Sequence, residues 1–355
     1  VAWIERYVSP SASGGGDGSV GSPWTLAEAA ASAVAGDRVN LKAGIYPLAA
    51  TFSPANDGAR DNPIVWRAYA STPGDAVTPV AILDASASGV RALDCARAYH
   101  RFELITASGN VGGGPAAWGF WCAGDHNILW RCRAHTTQKG INLLGDGTLA
   151  VGCEVTDWSA GAGFQLQGSN SIALGCVAAR GPTGFGFIGD HTGGAYYCVA
   201  RQCAGQGFLF STPGQGLAKL LAHCVAWANG GPGISSQGAP EATPLVIANS
   251  IVANNGGPGI STTSSTRAHV TLCAVGFYNN AGGDVAADVT VFEPVPRVAL
   301  PGILSWTRMR AICDRPLRLE PCSVRVFPVN GSRVVRSRPG AARRTWARCT
   351  KSYAR

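Results

Sequence analysis

The sequence predicts an all-β chain, a single-stranded right-handed parallel β-helix (solenoid) with an N-terminal capping helix. Three observations carry that reading. First, 47 of the 355 residues are Gly and 21 are Pro, yet 46% are hydrophobic and mean hydropathy is slightly positive at +0.09. Short apolar runs cut by Gly and Pro read as strands and turns, and this much apolar mass excludes a disordered chain. Second, cysteines recur at Cys132, Cys153, Cys176, Cys198 and Cys224, then at Cys273 after a double gap that holds Asn249-Ser250-Ile251-Val252. Third, a Gly-Phe or Gly-Ile pair keeps the same period at Gly119-Phe120, Gly140-Ile141, Gly163-Phe164, Gly186-Phe187, Gly207-Phe208, Gly233-Ile234 and Gly259-Ile260. Two residue classes in phase at 21 to 26 residues identify one supersecondary unit per repeat.

One such unit cannot bury its inner face alone, whereas stacked units cover one another. Strands of successive turns then pair at about 4.8 Å. The Cys series (Cys132, Cys153, Cys176, Cys198, Cys224, Cys273) reads as a core ladder, since Cys is a small and readily buried residue. Disulfides between neighbouring turns stay open as an alternative, because the strand spacing is near the allowed Cα separation. No CxxC pair or clustered His accompanies the series, so no metal and no cofactor are expected. Free thiols would fit a reducing history. The Gly before each Phe or Ile is expected at a corner needing unusual dihedrals.

The N-terminal 70 residues are a cap with the first turns. Thr25 with Glu28 has capping-box spacing and opens an Ala-rich helix to Val34. Leu26, Ala29, Ala30, Ala33 and Val34 give it an apolar face that can close the solenoid end. Gly36-Asp37 turns the chain into the first strand. The run Tyr7-Val8-Ser9-Pro10, then Gly14 to Gly18, Gly21-Ser22-Pro23-Trp24-Thr25-Leu26, the helix, and Gly36-Asp37-Arg38-Val39 through Gly44-Ile45-Tyr46 resembles the capped start of pectin-lyase-like right-handed parallel β-helix proteins. Pro79 to Asp84 resembles their next strand with one extra residue. Trp3 to Val8 also resembles leaderless bacteriophage-encoded members. The resemblance runs to Asn280 and implies the fold. It leaves the activity open, since that superfamily holds lyases, hydrolases, epimerases, adhesins and tailspikes.

Residues 71–296 carry the repeats and residues 297–355 a basic C-terminal segment with short strands. Fourteen Arg and Lys stand there against Asp314 and Glu320, a net charge of +12, while the preceding part is −4 within the total of +8. Arg336, Arg338, Arg343 and Arg344 are the candidate docking residues, facing an acidic partner or a second copy. No nucleic-acid-binding motif accompanies them. Val1 to Pro10 lacks the form of a secretory leader, and no apolar stretch reaches spanning length.

Candidate chemistry is sparse. Asn-x-Asp, Asp-Asp, Gly-His-Gly and Arg-x-Lys, which polygalacturonases of this fold combine, do not occur. A lyase would need a base and charge neutralisation, and only scattered groups offer themselves. His126, Arg131, Arg133, His135, Lys139 and Asp146, with Asp125, Glu154 and Asp157 nearby, form a candidate glycan or partner surface. Trp121, Trp130 and Trp158 are expected as surface aromatics beside them. No catalytic residue is assigned. The expectation is therefore a non-enzymatic structural or adhesive protein; the resemblance to bacteriophage-encoded members implies a virion component meeting other assembly proteins or copies of itself. The alternatives are a polysaccharide lyase or glycoside hydrolase, and a glycan-binding module, either of them extracellular or at a cell surface.

Overall fold

The computed structural model describes residues 3–110, 117–189, 193–211, 219–237, 245–262, 269–286, 290–292 and 298–299. They wind into a right-handed parallel β-helix of three sheets, with 12, 11 and 8 strands among the described residues. The first sheet runs from Ile4–Val8 through Asp37–Lys42 and Ile64–Tyr69 to Thr290–Phe292. The second contains Arg133–His135, Glu154–Thr156, Val177–Ala179, Val199–Arg201 and Val225–Trp227 as successive neighbours. The third runs from Leu93–Cys95 to Ile260–Thr262. Every pairing between these strands is parallel, so each coil hydrogen-bonds only to the coils before and after it. No described helix is long and apolar enough to cross a membrane.

Side-chain size makes the prism close. The second sheet points Ala107, Ala134, Ala178, Ala200 and Ala226 inward, all at most 1% exposed. The third sheet answers with aromatics: Phe164, Phe185 and Phe208 stack face to face at 4.8 and 5.0 Å, and Phe187 lies 4.4 Å from Phe210. Small against large at facing positions fills the interior without voids.

Both short corners are made by single residues with left-handed backbone. Arg131, Tyr197, His223, Asn249 and Ala274 turn the chain from first to second sheet; Thr136, Asp157, Arg180, Gln202, Ala228, Asn254 and Asn279 turn it from second to third. The residue after each corner points inward. After the first corner these are Cys132, Cys153, Cys176, Cys198 and Cys224, all free thiols and at most 1% exposed. Their sulfurs donate to backbone carbonyls of the coil before, as Cys176 does to Ala150 at 3.4 Å. Ser250 takes the next place, its hydroxyl accepting the Cys224 N–H at 3.1 Å. After the second corner Asn229, Asn255 and Asn280 form a buried amide ladder.

Three expectations need correction. Cys273 pairs with Ala248 and is half-buried, one position before a corner; Val275 stands where the next ladder residue belongs. In the Gly series the residue in register with Phe164 and Phe208 is Phe185, so Gly184 and not Gly186 continues the column. These glycines also lack positive φ. A Cβ on Gly140 would meet the Gly163 carbonyl oxygen at 2.1 Å, and one on Gly184 the Gly207 oxygen at 2.4 Å. Close approach of neighbouring coils requires glycine there, rather than corner dihedrals.

The cap follows its sequence signals. Thr25 Oγ1 accepts the Glu28 N–H and Glu28 Oε2 accepts the Thr25 N–H at 2.8 Å, opening the helix Leu26–Ser32. Its Ala29, with Ala33 at the C-cap, joins the core. Nearby, His100 is 1% exposed and its ring lies alongside those of Trp66 and Phe102. Its Nδ1 accepts from Trp66 Nε1 at 2.9 Å and its Nε2 donates to the Asn56 carbonyl at 2.9 Å. Burial pushes its pKa down to about 4. The unfolded chain takes up this proton near 6.5, the folded chain only near 4, so the stability is whole above pH 6.5 and falls as pH drops through that window. Urea melts between pH 7.5 and pH 4 should lose on the order of 3 kcal/mol through this group. The loss should shrink in His100→Gln, and an equal loss in both proteins would remove His100 from the acid limb.

Compactness divides the chain into Val1–Pro301 and Gly302–Arg355. The second unit, with Arg336, Arg338, Arg343 and Arg344, lies outside the described residues.

Candidate functional site

The candidate surface groups do not converge. Arg133 and His135 point outward from the second sheet, with Arg131 at the corner before them. Trp130 points outward from the first sheet, 38% exposed, under the Arg101 guanidinium. Trp121 and Lys139 lie on the third sheet. Lys139 Nζ is 5.2 Å from the centre of the Trp118 ring, and Arg91 lies 4.1 Å from that of Trp121. His126 and Asp146 occupy the turns leading into the first sheet, where the Asp146 N–H donates to Asp125. These residues are thus spread over two coils and over different faces.

Trp158 is not a surface residue. It is 3% exposed and fills the position that Asn229 and Asn255 occupy further along, its Nε1 donating to the Gly161 carbonyl at 3.2 Å. Gly181 makes room: a Cβ there would come 2.1 Å from the indole. Alternation along a strand predicts facing correctly, but Trp158 follows a left-handed corner, which resets the phase.

The second sheet does assemble a set. Across three coils, His135 Nδ1 lies 3.0 Å from Thr156 Oγ1 and 3.5 Å from Asp157 Oδ2. Asp157 in turn accepts two hydrogen bonds from Arg180, Nε and Nη2, both at 2.7 Å. The Arg180 guanidinium holds the Asp157 carboxyl below the usual range. Beside it Arg133 grips Glu154 through Nε and Nη2 at 3.0 and 2.7 Å. Arg131, exposed, has no ion pair among the described residues. Outward positions two residues apart on a strand stand about 6.6 Å from one another, so Arg133 and His135 are neighbours on the outer face, with Arg131 at the left-handed corner that precedes them. Each ion pair here is exposed and contributes little to stability. A histidine held through one nitrogen by a fixed carboxylate, with its other nitrogen toward solvent and guanidinium groups alongside, is equipped for proton abstraction next to an anion.

Thr156 and Arg180 escaped the sequence reading. Their signal was the repeat itself: Asp157 and Arg180 occupy the same corner one coil apart. Among the described residues no group of three or more His, Cys, Asp or Glu side chains is placed to hold a metal ion.

Comparison with known proteins settles the lineage. A model of the Pel9A-like right-handed β-helix family matches residues 6–288. The chain belongs to that family. Among solved structures, the pectate lyase Pel9A superposes with a TM-score of 0.66 at 17% identity, covering 86% of this chain and 84% of its own. A rhamnogalacturonan lyase gives 0.53 at 15%, with 78% and 74% covered. The native lacto-N-biosidase from Eubacterium ramulus gives 0.53 at 12%, with 83% and 68% covered. Comparison with curated protein sequences finds no match. At these identities the likeness is one of fold. The expectation of a non-enzymatic structural or adhesive virion protein is nonetheless corrected: the three structures named above that share the solenoid are two polysaccharide lyases and a lacto-N-biosidase, and nothing in the matches points to a bacteriophage or a virion.

Proposed function

We propose that this Pel9A-like protein is a polysaccharide lyase that cleaves an acidic glycan by β-elimination on the second sheet. The observation that carries the reading is the relay from His135 through Asp157 to Arg180, with Arg131 and Arg133 alongside. Thr156 and Asp157 face Nδ1, so that nitrogen carries the proton and Nε2 presents its lone pair to solvent. Nε2 would take the proton at C5 of a uronate residue. The electrons of that C–H bond form the C4=C5 double bond, the C4–O bond to the neighbouring sugar breaks, and the departing oxygen is protonated from solvent. Arg131 and Arg133 would hold the uronate carboxylate and stabilise the charge that develops on it in the transition state. Asp157, kept ionised by Arg180, stabilises the imidazolium formed and fixes its ring, a positioning role.

The lyase and glycosidase names of the structural neighbours support an enzymatic reading without selecting the bond cleaved. The test is release of new chain ends from a panel of uronate-containing polysaccharides by the wild type and by His135→Gln. Release that depends on His135 is the expected result. Absence of release from every acidic polymer, or equal release by both proteins, would overturn the assignment.

A further inference from the structure

The outer face of the first sheet changes character along the solenoid. In its early coils the two outward rows hold Arg38, Arg67, Arg101 and Glu103. From the next coil on, the same rows are apolar and in strict register. One runs Ile128, Leu149, Ile172, Gly194, Leu220 and Val246; the other runs Trp130, Val151, Leu174, Tyr196, Ala222 and Ala248. Trp130 is 38% exposed, Gly194 and Ala222 are buried, and the others are half-buried. The residues between the rows, such as Leu129, Ala150 and Ala173, lie in the core. Strands such as Ile128–Trp130 and Leu149–Val151 are therefore apolar at every position. Alternation with polar residues marks a sheet that meets water on one face; continuous apolar strands mark a parallel sheet covered on both. The solenoid interior supplies only one of those covers.

We infer that this face pairs with the same face of a second copy, around a two-fold axis parallel to the solenoid. Three observations select that occupant. The two rows carry no charge from Ile128 and Trp130 to Val246 and Ala248, so identical faces meet without like-charge repulsion. The face is level: a Cβ on Gly194 would lie 3.2 Å from Tyr196 Cε2, so the tyrosine ring reaches back over the glycine. It is also corrugated at the coil spacing of about 4.8 Å over five steps, roughly 24 Å. A second copy repeats that spacing by construction, whereas a helix of pitch about 5.4 Å falls half a repeat out of step over the same length. The two-fold axis exchanges the rows, so each coil sets the first row of one copy against the second row of the other. Leu220 then meets Ala222 and Val246 meets Ala248, large on small, while Ile172 meets Leu174. At the corner Tyr197, 43% exposed, stacks on His223 at 4.7 Å and gives the strip an amphipathic rim. Strands three residues wide make the strip about 10 Å across, the small end of specific interfaces, so the pairing is concentration-dependent. It uses no residue of the His135 set and stands apart from the lyase reading.

Sedimentation equilibrium of the full chain between about 1 and 100 μM, beside a thermal melt, tests the pairing. Wild type should pass from monomer to dimer within that range. Ile172→Glu and Leu174→Lys should each raise the dissociation constant about 100-fold or more, because each dimer would seat two unpaired charges on apolar ground. Both positions are half-buried on the outer face, so the melts should stay close to wild type. Mixing the two variants should restore a dimer, since the exchanged rows set the carboxylate of one against the ammonium of the other. Misfolding, another surface or a different partner would not give that recovery. Should either charge lower the melt, Leu149→Glu mixed with Val151→Lys repeats the test one coil earlier. A dimer indifferent to both substitutions, or loss in both without recovery on mixing, would overturn the pairing. A wild type that stays monomeric throughout would also overturn it and leave the face to an occupant other than a second copy.

Discussion

Replacing Cys176 by Asp should cost the solenoid about 3–5 kcal/mol, the range for an uncompensated buried charge. The thiol is fully buried and donates toward the Ala150 and Leu174 carbonyls at 3.4 and 3.6 Å. Burial already pushes the thiol pKa well above its ordinary value. A carboxylate there would face two carbonyl acceptors, with only the Cys153 N–H and neighbouring thiols to replace the water it loses. It must either stay protonated or open the stack. Cys176→Ala removes only one sulfur and should cost about 1 kcal/mol through a small cavity. Cys176→Ser should stay near the alanine value, because Ser250 already occupies the same ladder position and donates to the Ala248 carbonyl. Urea melts of the three variants give the ranking. An Asp variant as stable as the Ala variant would mean that the column is not sealed from water.

The second large effect is on turnover. His135→Gln should lower kcat at least 100-fold, the low end of what a general base contributes, while the melting temperature stays put. The contrast follows from magnitudes. His135 is exposed and its contacts lie on the surface, where such pairs contribute under about 1 kcal/mol. The same contacts decide which imidazole nitrogen faces the substrate. Asp157→Asn should lower kcat with little change in KM, since the carboxylate orients the base without touching sugar. Arg180→Gln should produce a smaller loss of the same kind by leaving Asp157 less fixed. Arg131→Gln, by contrast, should raise KM, because the lyase proposal gives that side chain the uronate carboxylate. A parallel fall in stability and activity across the series would point to a structural role. A loss confined to KM in Asp157→Asn would contradict the positioning assignment.

The solenoid was legible in the sequence because each coil repeats its inward residues, and a repeat needs no knowledge of distant contacts. The Cys period located the first corner and the Gly-aromatic period the third sheet. The slip from Gly184 to Gly186 arose because Gly-Phe occurs twice within Gly184-Phe185-Gly186-Phe187, and the pair chosen lay two residues out of register. Cys273 misled for a similar reason: it precedes its corner, whereas the ladder residues follow theirs. The surface site was harder to read. Its members lie at equivalent positions on different coils, so contact between Asp157 and Arg180 depends on the register and not on nearness along the chain. Trp158 shows the limit of strand alternation, since one left-handed residue turns the next side chain inward. Function lay beyond both signals, because this fold carries unrelated chemistries, and missing hydrolase motifs say nothing about the proposed base, whose partners come from other coils.

A β-elimination is recorded in the structure of the new chain ends. Each elimination leaves one C4=C5 double bond, conjugated with the uronate carboxylate, for each reducing end created. Ultraviolet absorbance and reducing-end assay on one digest of a uronate polysaccharide therefore measure the bond-cleaving chemistry itself. Equal amounts of the two products are expected, both abolished together in His135→Gln; reducing ends released without unsaturation would rule out elimination and establish hydrolysis instead.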